Sequence, residues 1–142
     1  MSRRRDELVP DQPNIVVLES YVQPAGPTIH IDVQSLARLN ELEALARNLA
    51  SGASQQVLLS HLADVQWVPP LKEVVLAVSE RGSNVRKERR DERLICKWTA
   101  SAEGWLESAE KIAVMAASGE PCHQYFEGPH ADSVTIELAY LE

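Results

Sequence analysis

Apolar residues recur along this chain with two periods, and each period predicts a kind of element. Leu36, Leu39, Leu42, Leu45, Ala46 and Leu49 fall on one side of a helix while Arg38, Glu41, Arg47 and Asn48 fall opposite, and Gly52 sits where a C-cap belongs. A second stripe, Trp105, Leu106, Ala109, Ile112, Ala113 and Ala116, follows Ser101 as N-cap and stops at Gly119. Elsewhere the period is two. Ile29, Ile31 and Val33 alternate with His30 and Asp32 between Thr28 and Val33, and Leu94, Cys96 and Trp98 form the inward side of another strand. Cys122 to Glu127 and Ser133 to Tyr140 read as the closing strands, the last with Val134, Ile136, Leu138 and Tyr140 on one face. Asn14 to Val22, Gln56 to Leu62 and Glu73 to Ser79 complete the predicted strands, the first stopped by Pro24, Gly26 and Pro27.

Polar and Pro-rich stretches define the connections. Residues 1–13 read as a loose arm punctuated by Pro10 and Pro13. Ala63 to Lys72 contains Pro69-Pro70, which predicts a loop projecting from the sheet and carrying Trp67 and Val68. Residues 81–93 alternate in charge sign and read as a solvated loop.

A repeat is suggested by offsets. A shift of 67 places Leu39 on Leu106, Leu42 on Ala109, Leu45 on Ile112 and Gly52 on Gly119; shifts of 65 and 62 superpose the strands before and after, so that Ile29 meets Leu94 and Leu76 meets Leu138. The resulting expectation is one α+β domain over residues 1–142, built from βαββ units at 28–80 and 94–142. Its antiparallel sheet of six or seven strands would carry both helices on one face, leaving His30, Asp32, Lys97, Thr99, Thr135 and Glu137 on the open face.

Composition narrows the function classes. With 44% hydrophobic residues in 142, one ordinary core is expected, and no apolar run reaches the length of a membrane span. The start of the chain lacks an apolar signal core, which predicts a cytoplasmic protein whose Cys96 and Cys122 are free thiols. Net charge is −7, although the segment 81–93 and Arg3, Arg4 and Arg5 hold most of the cations. The acidic body disfavours nucleic acid and suits a basic protein partner.

Candidate chemistry is sparse. Cys122 and His123 are adjacent on a predicted strand and point to opposite faces, so they do not form a nucleophile and base pair. His30, His61, His123 and His130 lack metal-ligand spacing, and the six glycines form no phosphate-binding loop. No catalytic, cofactor or metal residues are therefore expected. Trp67 is the candidate partner anchor, with Asp64 and Glu73 beside it, and His30, Lys97 and Glu137 mark the open face.

Trp98 ahead of Ser101, the helix start Gly104-Trp105-Leu106, Gly119 followed by His123-Gln124-Tyr125, and the strand Val134-Thr135-Ile136-Glu137-Leu138 resemble small bacterial immunity proteins of polymorphic toxin systems. The resemblance spans residues 94–142; the other half and the Phe126-Glu127-Gly128-Pro129 turn depart from it. It implies a non-enzymatic, stoichiometric inhibitor that binds a cognate toxin, with His123 and Tyr125 among the contact candidates. The acidic body suits a basic nuclease toxin. The alternative is a small-ligand or regulatory sensor domain that uses the open face of the sheet.

Overall fold

Both helices begin at a serine and end at a glycine in the computed structural model, which describes residues 15–22, 26–62, 64–127 and 134–142. In α1 (Leu36–Ser51) the Ser35 hydroxyl accepts from the Arg38 amide, and in α2 (Ala102–Ser118) Ser101 accepts from Gly104 at 3.0 Å. Each bond satisfies one of the amides that a helix leaves unpaired at its start. Gly52 (φ 86°) and Gly119 (φ 66°) adopt the left-handed conformation that ends a helix and that glycine reaches without a Cβ clash.

Among the described residues nine strands accompany the helices: β1 (Ile15–Val22), β2 (Gly26–Val33), β3 (Gln56–Leu58), β4 (Val65–Trp67), β5 (Leu71–Val78), β6 (Asn84–Arg90), β7 (Arg93–Ala100), β8 (Cys122–Glu127) and β9 (Thr135–Tyr140). They form two mixed sheets, ordered β4-β1-β2-β9-β8 and β3-β5-β7-β6. In the first, β2 pairs antiparallel with β1 and parallel with β9, which pairs antiparallel with β8. In the second, β7 pairs antiparallel with β6 and parallel with β5, which pairs antiparallel with β3.

The single antiparallel sheet of six or seven strands is thus corrected. Alternation along β5 and β9 identifies strands but not their neighbours, and each lies parallel to a strand from the other half of the chain. The helices pack against each other, and each also touches both sheets: α1 meets β2 and β5, and α2 meets β7 and β8. Two local expectations change as well. The segment 81–93 is not a solvated loop, because residues 84–90 form β6, whose Val85 is buried. Trp67 does not project on a loop but ends β4, paired with Val17 of β1 ahead of the cis Pro69-Pro70 bond. The region 56–62 divides into β3 and a 3₁₀ turn at Leu59–His61. The expected arm at residues 1–13 lies outside the described residues.

One face of every long strand feeds the core. Ile29, Ile31 and Val33 of β2, Ile136, Leu138 and Tyr140 of β9, Leu94, Cys96, Trp98 and Ala100 of β7, and Leu39, Leu42, Ala46 and Leu49 of α1 are all buried. Trp105 of α2 is fully buried, and its indole N–H donates to the Ala77 carbonyl at 2.8 Å. Trp98 lies 4.8 Å from the Trp105 ring and 5.2 Å from Phe126 of β8, so one aromatic cluster ties α2 to both sheets. A second tie is the ion pair between Glu19 of β1 and Lys87 of β6. Cys96, the cross-strand neighbour of Lys87, is a free thiol pushed up to about 12, by burial first and the Glu19 charge second.

The second helical stripe is rotated from its expected position. Trp105, Ser108, Ala109, Ile112 and Met115 are buried, whereas Leu106 is 42% exposed. Counted from the serine caps, the buried positions of the two helices correspond at a shift of 66, and α2 reaches its glycine one residue later. The indole takes the inside place because Ala77 offers its N–H a buried acceptor.

Candidate functional site

The outer face of the five-stranded sheet gathers most of the polar residues that the alternation singles out. Strand register sets Leu18, His30, Glu137 and Tyr125 side by side in one row across β1, β2, β9 and β8. The adjacent row runs Val16, Asp32, Ala139 and His123. Ala139, the short residue between Asp32 and His123 in that row, is buried.

Hydrogen bonds lock this face. His30 Nδ1 lies 2.5 Å from Glu137 Oε1, and His30 Nε2 lies 2.6 Å from the Ser20 hydroxyl. His123 Nδ1 lies 2.8 Å from Glu142 Oε2, and the His123 and Tyr125 rings meet edge to face at 5.4 Å. The Glu142 contact holds the His123 imidazole above its ordinary range, with the Glu142 and Glu137 charges adding to it. Tyr125 is raised chiefly by the Glu137 charge, and Asp32 by burial, with Glu137 and Glu142 reinforcing and His30 opposing. The face is therefore an anionic surface in which three carboxylates share two imidazoles.

Three chemical uses can be weighed. Ser20, His30 and Glu137 stand in the order of a serine, base and acid relay. Both ring nitrogens of His30 are thereby engaged, Nε2 by Ser20 and Nδ1 by Glu137, which fixes the orientation of the ring. Orientation of His30 is what the relay accomplishes. His123, Glu137 and Glu142 bring one ligand atom each within 4.8 Å of one another, a set whose nitrogen and carboxylate donors suit a divalent cation. Each of these side chains already has a protein partner, and the outer two are well exposed. Recognition of a cationic or hydrogen-bonding partner is the use that needs no added component.

The sequence-derived candidates separate into four places. His30, Glu137, His123 and Tyr125 come together on this face, with Tyr125 50% exposed. Lys97 lies apart, on the outer face of the four-stranded sheet, because β7 pairs with β5 and β6. Trp67 is half-buried against the core at the end of β4, Asp64 precedes that strand in a left-handed conformation, and Glu73 accepts from the Ser60 amide and hydroxyl. Glu142 and Ser20 were missed. Their roles depend on partners in another strand, His123 lying 19 residues before Glu142 and His30 lying across the β1–β2 hairpin from Ser20, which periodicity within a strand does not reveal. Among the described residues, no helix is long and apolar enough to cross a membrane. Comparison of the chain with protein-family models, with curated proteins and with solved structures finds no match.

Proposed function

We propose that the chain is a non-enzymatic binding protein of the immunity type, which neutralises a cognate toxin by laying the outer face of its five-stranded sheet over it. The observation that carries this reading is the concentration of Asp32, Glu137 and Glu142 around His30, His123 and Tyr125 on one sheet face. A surface of that charge complements a basic nuclease and accelerates encounter with it. Tyr125 takes the anchor role first assigned to Trp67, since its ring stands half-exposed beside Glu137 at the edge-strand end of its polar row while Trp67 leans on the core. In the same reading the two halves are duplicated units, consistent with the shared β1-β2-β9-β8 and β6-β7-β5-β3 arrangement.

The test is capture of a basic nuclease toxin domain by the purified protein. Glu142→Lys, and Tyr125→Ala separately, should each weaken capture about tenfold or more, roughly 1.4 kcal/mol, with little change in the melting midpoint because both side chains are exposed. Trp67→Ala should lower the midpoint instead. Unchanged capture by both outer-face variants would remove this surface from the reading.

A further inference from the structure

The outer face of the four-stranded sheet repeats the plan of the acidic face with opposite charge. Its rows run Leu58, Val75, Lys97, Arg86 and, beside them, Gln56, Ala77, Thr99, Asn84. Ala77 is nearly buried and floors a hollow between Thr99 and Gln56, at the row position that Ala139 holds between Asp32 and His123 on the other sheet. The place on the scaffold is the same, and only its lining differs.

That lining is cationic in a chain of net charge −7. The hollow has a volume of about 680 Å³ and is bordered by Arg81, Arg86 and Lys97, with no carboxylate lining it among the described residues. Lys97 is half-buried and forms no ion pair among the described residues. Arg86 rests on Glu88 at 3.3 Å, a side chain that it shares with Arg90 and that lies outside the hollow. Glu88 borders a smaller neighbouring hollow with Lys97 but is held by Arg86 and Arg90, so cations outnumber carboxylates around the larger hollow and an anion entering it would balance that charge. Nearby Gln56, Asn84 and Thr99 present neutral donors and acceptors, although the Thr99 hydroxyl already donates to the Asn84 carbonyl at 3.2 Å.

We infer that this hollow binds a small phosphate-bearing anion, with Arg81 and Arg86 gripping phosphate oxygens and Lys97 supplying a point charge beneath them. Guanidinium groups match the spacing of phosphate oxygens, while an ammonium adds charge without directional demand. The volume lies within the roughly 300–1,000 Å³ of small-ligand sites, which leaves room for an organic remainder beside the amide side chains. The inference does not depend on toxin binding, because the residues involved occupy the other sheet.

Calorimetric titration of the intact protein with pyrophosphate and with ADP tests it, with citrate as a trianion that lacks phosphorus. Saturable one-to-one binding that weakens with salt is expected for both phosphates, and much weaker binding for citrate. Lys97→Ala and Arg81→Ala should each weaken pyrophosphate binding about tenfold or more, whereas Arg47→Ala on α1 should leave it unchanged. Because Lys97 lies on an interior strand, amide shifts of the unaltered protein give an independent reading. Pyrophosphate should move the signals of residues 81–86 and 97–99. Absence of binding, equal binding of citrate, equal losses in Arg47→Ala and Lys97→Ala, or shifts confined to other residues would each overturn the inference.

Discussion

Asp32 carries a carboxyl that its surroundings hold above the ordinary value of 3.8, mainly by burial and then by the Glu137 and Glu142 charges. A carboxyl raised in the folded state favours folding while protonated. Its contribution is complete below the unfolded value and is lost as pH rises through the folded one. Asp32→Asn should therefore raise the melting midpoint at pH 7, and the gain should shrink as pH falls toward 4. A variant that melts lower than the parent at pH 7 would show that the His30 attraction outweighs burial. His123 is shifted in the opposite functional sense: its raised imidazole keeps a cationic partner beside Glu142 up to a higher pH than a free histidine would. The placement of His30 and Glu137 on one face was legible, since both fall on polar positions of alternating strands. Their 2.5 Å contact was not, because it requires β2 and β9 to be parallel neighbours.

Three of the four helix termini were legible at the level of single residues, as Gly52, Ser101 and Gly119 act through local backbone geometry, while the Ser35 cap emerges only from the structure. The facing of α2 was not. Trp105 and Leu106 are both apolar and differ by one step around the helix, so only the distant Ala77 carbonyl decides which turns inward. Leu42→Ala and Ile112→Ala should each cost about 2–5 kcal/mol, the usual range for emptying a buried aliphatic site. Leu106→Lys should cost well under 1 kcal/mol, as expected for a surface substitution, and Glu41→Ala equally little despite its ion pair with Arg38. Urea melts distinguish these cases. A loss at Leu106 equal to that at Ile112 would restore the stripe expected from the sequence. The strand β6 was missed for a related reason: on its outer face Arg86, Glu88 and Arg90 present an ion-paired, solvated pattern, and only Val85 is fully buried.

At the scale of the molecule, the number of helices and the α+β class were legible, and the division into two sheets was not. Strand pairing across the whole length of a chain leaves no mark in a local pattern, and β9 lies against β2 more than 100 residues away. Such distant pairing is slow to form because loop closure precedes any gain from the contacts.

The exchange of strands between halves has a further consequence. Residues 15–78 supply β1, β2 and β4 to one sheet and β3 and β5 to the other, while residues 84–142 supply β8 and β9 to the first and β6 and β7 to the second. Neither piece holds the parallel neighbour of its own last strand, so each alone would expose two open sheet edges. Cut at the Gly82 turn, the protein should behave as two mutually dependent chains: fragments 1–81 and 82–142 should be unstructured by circular dichroism when separate and should regain the intact spectrum when mixed. A fragment that folds by itself would mean that one half closes its strands without the other.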